Sequence, residues 1–424
     1  MKNMKHVTLD GVRIHLRPQD RQLLINGIYT LHLNRTSTFI VESLIDSCYE
    51  VPKEQVPDRT IEKIVEKYKI DPKKAKEDFD TIIGVINSFA RNEPPTHLIG
   101  SEIIPNDRFT TPKRMDLALT YECNNKCCHC YLSDNKNDGT LTTDQWKEIL
   151  DKLWEIGVPE VAFTGGECTL RDDLPDLVKY GKEFITGIIT NGTHLTPDLT
   201  KKLKENHLDW IQITLESDKP EIHDKIVGRT GAFMETMTGI KNAVDSGLSV
   251  SINVTLTKKN YKDLQQLIAL MKTLGIRYIS TNAIINAGRG VKEKQKNGLA
   301  ERTLKKTLKD ACGYTKSLGD IQLNWFLPTC YKNLNPIELG FGQRCCSACQ
   351  INMMIQPDGS VIPCQSWTHE KLGNFLKDDW NSIWNHSTSL KLRNHGFIKS
   401  KDCKDCKDLN LCYGSCPLEV INHE

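Results

Sequence analysis

Along the first ninety or so residues, short apolar runs broken by turn residues give way to a helical period. Leu23 to Ile25 and Ile28 to Leu33 flank Asn26-Gly27, a pair that tolerates the positive φ angles of a type I′ turn, so the pattern predicts a β-hairpin. Two amphipathic helices are expected next. The first has Thr60 as its N-cap and Ile61, Ile64, Val65 and Tyr68 on one face; the second opens at Asp71-Pro72 and carries Ala75, Phe79, Ile82, Ile83, Ile86 and Phe89. A short sheet packed on helices, winged-helix-like in outline, is the expected α+β unit for residues 1–95. Pro94, Pro95 and Pro105 mark the stretch to residue 112 as a linker.

Beyond Met115 the pattern changes to alternating units. A first β-like run ends in Thr120-Tyr121-Glu122, and Val161 to Thr164, Ile185 to Thr190, Trp210 to Leu215, Val250 to Leu256 and Tyr278 to Ile285 follow, separated by helical segments. Repeated βα units imply a parallel sheet with helices outside, and about six of them predict an α/β fold, a partial (β/α)6 barrel, over residues 113–318. Functional groups are then expected at the C-terminal ends of the strands. From about residue 340 cysteines crowd together while periodicity fades. Residues 319–424 are therefore expected to be organised by bound metal more than by an apolar core.

Composition narrows the function. The 424 residues are 38% hydrophobic, enough for packed cores, and 56 Lys+Arg against 54 Asp+Glu leave a net charge of +2. That balance gives no broad attraction to nucleic acid or to an anionic bilayer. The start, MKNMKHVTLDGVRIHLR, holds no apolar signal region, and no later stretch is long and apolar enough to span a membrane, so a cytoplasmic location is expected. In a reducing compartment 16 cysteines spaced in close pairs point to metal ligation and not to disulfides.

The first cluster reads Cys123-Asn-Asn-Lys-Cys127-Cys128-His129-Cys130 and directly follows the first β-like run. Three thiolates at this spacing can each take one iron of a four-iron cluster and leave the fourth iron open. A zinc knuckle is the competing reading. Thr164-Gly165-Gly166-Glu167 ends the second run, where two glycines let backbone approach a small ligand closely. Asn191-Gly192 closes the third run and Thr214-Leu215-Glu216-Ser217 the fourth.

This set, CxxxCxxC after a first strand and Gly-Gly-Glu one unit later, resembles the radical SAM superfamily across the whole middle domain. The resemblance implies that Cys123, Cys127 and Cys130 hold a [4Fe-4S] cluster whose unique iron chelates S-adenosyl-L-methionine. One electron then cleaves SAM to a 5′-deoxyadenosyl radical that abstracts hydrogen. By the same resemblance Gly165, Gly166 and Glu167 hold the SAM amino group, Asn191, Thr214 and Glu216 contact its methionine and ribose portions, and His129 stands where an aromatic residue usually contacts adenine. Glu216 replaces a commoner Asp, and Val227 stands where Arg is frequent in His223-Asp224-Lys-Ile-Val227-Gly228-Arg229.

Toward the C-terminus, Cys349 precedes Gly359 by nine intervening residues and Cys364 by four more, and Cys403-x2-Cys406-x5-Cys412-x3-Cys416 follows. Pro357-Asp358-Gly359 predicts a turn that brings Cys349 and Cys364 together. These spacings resemble the SPASM extension, which houses one or two auxiliary iron-sulfur clusters. The resemblance assigns Cys346 (or Cys345), Cys349, Cys364 and Cys416 to one, and Cys403, Cys406 and Cys412 to the other. The last ligand of the second stays open between His423, a spare thiol such as Cys345 or Cys330, and none. Structural zinc sites are the alternative. Near the hairpin, Leu31-His32-Leu33-Asn34-Arg35-Thr36 with Asp78-Phe79 resembles the PqqD-like peptide-recognition element, which implies binding of an extended leader peptide by strand addition.

The expectation is a radical SAM peptide maturase. It would take a ribosomally synthesised precursor peptide as partner and an electron donor such as flavodoxin or ferredoxin, forming an oxidative thioether or carbon-carbon crosslink. Epimerisation, with Cys330 returning hydrogen, and small-molecule chemistry such as tetrapyrrole modification are the alternatives among enzymes. A non-catalytic iron-sulfur carrier or zinc-dependent binder is the alternative outside them. Cys168 and Cys330 are the candidates for a catalytic thiol, and no nucleic-acid or membrane partner is expected.

Overall fold

The computed structural model describes residues 4–27, 29–91, 93, 109–132, 139–326, 334, 339, 341, 346–397 and 416–421. It forms two compact units, residues 1–111 with 150–160, and residues 112–149 with 161–424.

In the first unit four strands, β1 (Lys5–Leu9), β2 (Val12–Arg17), β3 (Gln22–Ile25) and β4 (Tyr29–His32), form an antiparallel sheet in chain order. The predicted Asn-Gly hairpin joins β3 to β4, with φ of 52° at Asn26 and 70° at Gly27. A second hairpin was hidden in Asp10-Gly11, which has the same left-handed pair at 49° and 80° and joins β1 to β2. Against the sheet pack α1 (Arg35–Glu50) and α3 (Pro72–Ala90), and α2 (Val56–Tyr68) packs on these two helices. The sequence reading missed α1, whose opening Thr36-Ser37-Thr38 and β-branched Ile40-Val41 favour helix weakly. Asn34 Oδ1 accepts from Ser37 N–H at 2.8 Å, and Ile40, Val41, Leu44 and Ile45 are buried, so capping and packing override propensity. Thr60 is not an N-cap: α2 begins at Val56, and the Thr60 hydroxyl donates to the Val56 carbonyl at 2.7 Å. Asp71 does cap α3, accepting from Lys73 N–H at 2.8 Å.

The second unit contains the predicted parallel strands, β5 (Arg114–Thr120), β6 (Glu160–Gly165), β7 (Ile185–Thr190), β8 (Trp210–Thr214), β9 (Val250–Leu256) and β10 (Tyr278–Ala283). Between and after them run α4 (Thr143–Ile156), whose residues 150–156 are counted with the first unit, α5 (Leu174–Tyr180), α6 (Pro197–Glu205), α7 (Pro220–Val227), α8 (Ala232–Asp245), α9 (Leu264–Thr273), α10 (Gly290–Asn297) and α11 (Glu301–Leu318). The sheet continues past both ends of this set. β11 (Gln322–Trp325) adds in parallel beside β10, and β12 (Asn352–Ile355) adds in parallel beside β5. β13 (Ser360–Ile362) and β14 (Gly373–Asn374) extend it antiparallel, and the turn between β12 and β13 is the predicted Asp358-Gly359, with Gly359 at φ 82°. Short helices α12 (Trp380–Trp384), α13 (Ser387–Arg393) and α14 (Leu418–Ile421) complete the described chain.

Alternation along the strands separates two faces. Ile211, Ile213, Ile252, Val254 and Ile279 are buried on one. On the other, the register aligns Gln212 with Ser251, Thr214 with Asn253, Asn282 with Thr255 and Asn324 with Ser280, a row of uncharged amides and hydroxyls.

Candidate active site

Because β5 to β10 run parallel, their C-terminal ends share one edge of the sheet, and the loop Cys123–Cys130 leaves β5 there. Neighbouring βα connections hold this loop by its backbone. Lys126 N–H donates to Val227 O at 2.8 Å and Cys128 N–H to Ile226 O at 2.9 Å, while Arg289 Nε donates to Cys127 O at 3.0 Å. Contact this close demands glycine: a Cβ on Gly228 would lie 2.5 Å from Lys126 O, and one on Gly288 would lie 2.4 Å from Tyr131 O. The bend Gly288-Arg289-Gly290 therefore packs on the cysteine loop. Cys123 is exposed, and Cys127 and Cys130 are partly buried. Burial, with Cys130, Glu216 and Cys123 close by, pushes the Cys127 thiol well above its ordinary value.

The second strand end is packed as tightly. Gly166 N–H donates to Thr120 O at 2.7 Å and Glu167 N–H to Glu122 O at 2.8 Å. A Cβ on Gly165 would meet Thr120 O at 2.1 Å, and one on Gly166 would meet Glu122 O at 2.3 Å. On that side what the two glycines admit is the backbone leading into the cysteine loop. Glu167 is fully buried and its carboxylate ties strands together. Oε1 accepts from Thr169 Oγ1 and Thr190 Oγ1, each at 2.6 Å, and Oε2 accepts from Asn191 N–H at 2.7 Å. Asn191 Nδ2 in turn donates to Asn124 Oδ1 at 2.8 Å, linking the third strand end to the cysteine loop.

At the fourth strand end Glu216 is also fully buried. Its Oε2 accepts from Thr255 N–H at 2.9 Å, its own N–H donates to His223 Nδ1 at 3.1 Å, and its Oε1 lies 3.2 Å from His129 Nε2. Burial alone would lower the His129 pKa, but Glu216 and Cys128 raise it to about 10, so the imidazole is held as a cation. Asp224 accepts from Gly231 and Phe233 N–H at 2.6 and 2.8 Å, so His223 and Asp224 both brace loops. Arg229 is engaged by Asn125 Oδ1 at 2.8 Å and by Glu235. Cys168 is fully buried, with Sγ 3.5 Å from Ile189 O and 3.6 Å from Phe163 O, and burial pushes its thiol well up.

Four distant cysteines meet in the C-terminal region. Cys346 is pushed well up by burial and by Cys416, Cys364 and Cys349 nearby, and burial foremost takes Cys349 and Cys416 to about 12. A polar chain runs from this region to the first loop: Tyr131, next to Cys130, donates to Gln365 Oε1 at 3.1 Å, and Gln365, next to Cys364, donates to Asp116 Oδ2 at 2.7 Å. Spacing gave no sign of that chain, nor of the Arg289 and Asn124 contacts, because each joins segments remote in sequence. Cys330, Cys345, Cys403, Cys406, Cys412 and His423 lie outside the described residues.

These residues fit iron-sulfur clusters and SAM. Clustered buried thiols repel the charge of one another's thiolates unless a cation sits among them, and a cluster supplies it. Among the described residues no three His, Cys, Asp or Glu side chains form a group for a single ion. A four-iron cluster takes one thiolate at each iron and so spaces its sulfurs more widely than zinc does. Asn282 Oδ1 is a buried acceptor without a hydrogen-bond donor among the described residues, and SAM offers hydroxyl and ammonium donors.

Comparison with known proteins agrees. Residues 117–271 match the family model of the radical SAM superfamily, and residues 345–407 match that of an iron-sulfur cluster-binding domain, SPASM. Fe-coproporphyrin III synthase of Methanosarcina barkeri is 30% identical over 70% of this chain and 81% of its own. The antilisterial bacteriocin subtilosin biosynthesis protein AlbA of Bacillus subtilis is 27% identical over 97% of this chain and 92% of its own. The crystal structure of Streptococcus suis SuiB bound to S-adenosylmethionine shares the fold, with a TM-score of 0.66 at 17% identity over 99% of this chain and 96% of that one. No described helix is long and apolar enough to cross a membrane. The chain belongs to the radical SAM superfamily, and it is an enzyme of radical chemistry whose cofactors are S-adenosylmethionine, a [4Fe-4S] cluster and the auxiliary iron-sulfur clusters of a SPASM domain.

Proposed function

We propose that this enzyme modifies a ribosomally made precursor peptide in the cytoplasm, forming an oxidative thioether or carbon-carbon crosslink. The observation that carries the peptide reading is the extent of the match to the subtilosin biosynthesis protein, 97% of this chain, against 70% for the porphyrin enzyme. In this reading residues 1–95 bind the leader along an edge of the β1–β4 sheet, whose edge strands are β1 and β4. Residues 96–112 link it to the barrel at 113–318, and residues 319–424 carry the auxiliary clusters. Leader binding raises the effective concentration of the core peptide at the barrel.

Within the barrel, Cys123, Cys127 and Cys130 would hold the SAM cluster. Gly165, Gly166, Glu167, Asn191, Thr214, Glu216 and His129 would line the SAM site. Glu167 and Asn191 fix the strand ends, and the paired His129 and Glu216 keep that end of the site hydrogen-bonded and closed to water. The row Gln212, Ser251, Asn253, Asn282 and Asn324 offers neutral donors and acceptors suited to peptide amides. When bound, SAM and the cluster supply the radical that takes hydrogen from an unactivated carbon. Cys346, Cys349, Cys364 and Cys416, and separately Cys403, Cys406 and Cys412, would hold the clusters that accept the second electron.

Co-expression with a short peptide encoded beside the gene tests this. Loss of two hydrogens by mass is the expected result. An unchanged mass with an inverted stereocentre and solvent deuterium would replace crosslinking by epimerisation. Full activity on a tetrapyrrole after deletion of residues 1–95 would remove the peptide reading.

A further inference from the structure

Cys128 is the cysteine of its loop that the cluster assignment leaves without a task, since Cys123, Cys127 and Cys130 supply the three thiolates. It stands beside an amine. Lys259 Nζ, from the turn after β9, lies 3.5 Å from Cys128 Sγ, a contact between residues 131 positions apart. Helix α10 holds the amine there: Nζ donates to Glu293 Oε1 at 2.5 Å, and that oxygen also accepts from Asn297 Nδ2 at 2.8 Å. Backbone fixes both ends of the contact. Cys128 N–H donates to Ile226 O at 2.9 Å, Lys259 N–H to Thr257 Oγ1 at 3.1 Å, and Lys258 N–H to Asn297 O at 2.9 Å.

Other thiols have blander surroundings. Cys168 Sγ and Cys312 Sγ sit against backbone carbonyls, at 3.6 Å from Phe163 O and 3.2 Å from Leu339 O. Cys128 and Lys259 are only partly buried, so a small oxidant reaches them, and Glu293 behind them is buried. Two groups held about 3 to 3.5 Å apart react without first having to find each other.

We propose that Cys128 and Lys259 form a modification site, at which dioxygen joins Sγ to Nζ through one bridging oxygen atom. One S–H, one N–H and the O–O bond break, and S–O and O–N bonds form. The second oxygen atom leaves as water with the two hydrogens. Sulfur and nitrogen together give up four electrons, which reduce both oxygen atoms. Glu293 Oε1 takes the extra proton of the Lys259 ammonium. A direct S–N link, of the kind a sulfenic acid makes with a nitrogen, would need the two atoms closer together than a bridging oxygen does. The bridge ties the cysteine loop to the turn after β9 and keeps Cys128 from the irreversible sulfinic and sulfonic steps. Four electrons and four protons from two dithiol molecules return the amine, the thiol and water. The site is independent of which substrate the enzyme takes.

The test uses the full chain, reconstituted with iron and sulfide under anaerobic conditions and divided into a sealed and an air-exposed sample. Both are alkylated with iodoacetamide, digested with trypsin and read by mass spectrometry. In the air-exposed sample peptide 127–136 is expected joined to peptide 259–262, at their summed mass plus one oxygen less two hydrogens, with Cys127 and Cys130 alkylated. Dithiothreitol before alkylation should abolish the joined species, and the sealed sample should lack it. Cys128→Ala and Lys259→Arg should each lack it in air. Should either variant lose its fold, the parent's joined peptide and its loss with dithiothreitol still decide. An air-exposed parent whose Cys128 is alkylated, in a disulfide or carried to sulfinic acid overturns the proposal, as does a link without the oxygen. Iron counting on the sealed sample reads the cluster assignment separately.

Discussion

The two cysteine regions hold the same kind of ligand by opposite means. Cys123, Cys127 and Cys130 lie within eight consecutive residues, on a loop pinned through backbone hydrogen bonds to residues 226–227 and 289 and through glycines that permit the contact. Cys346, Cys349, Cys364 and Cys416 come from segments up to seventy positions apart and lie near one another, Cys349 and Cys416 buried and Cys346 and Cys364 partly buried, with Cys349 in a left-handed backbone at φ 57°. Backbone contacts with neighbouring βα connections position the first arrangement. The second sets thiols in each other's company, which is stable as thiolate only around a cation.

The largest expected effect follows directly. Cys349→Ser should lose the auxiliary iron and lower the melting temperature by roughly 5 °C or more, since metal binding there is folding energy. Cys127→Ala should lose about four irons and all SAM cleavage yet melt near the parent temperature. Calorimetry with iron counting on both variants measures the contrast, and equal melting losses would erase it.

Glu167→Gln comes next. It weakens a buried carboxylate that accepts from Thr169, Thr190 and Asn191, at a cost of about 2 to 3 kcal/mol. The loss should be the same in loaded and iron-free protein, because the scaffold and not the metal carries it. Gly288→Ala places a Cβ against Tyr131 O at a left-handed φ of 52° and should cost about 1 to 3 kcal/mol, read as faster iron release from the first loop alone. Smallest is Tyr131→Phe, which removes one hydrogen bond to Gln365 and should cost about 1 kcal/mol by denaturant unfolding with iron content unchanged.

Legibility followed locality. The strands of the barrel, the Asn26-Gly27 turn and the Asp71 cap were readable because each signal lies within a few residues. The α1 helix was not, since its propensities are poor and burial of Ile40, Val41, Leu44 and Ile45 decides it. Thr60 misled for a related reason: a threonine that donates to the carbonyl four residues back looks like a cap in sequence.

Sequence alone determined the spacing of Cys123, Cys127 and Cys130, the glycines after β6 and the order of βα units, because one loop or one strand end encodes each. Tertiary structure alone decided that Glu167 and Glu216 are scaffold carboxylates at adjoining strand ends, that Arg289 holds the Cys127 carbonyl, and that Tyr131 reaches Gln365 across 234 positions. Those are contacts between segments brought together by the parallel sheet, and no short window of residues contains both partners.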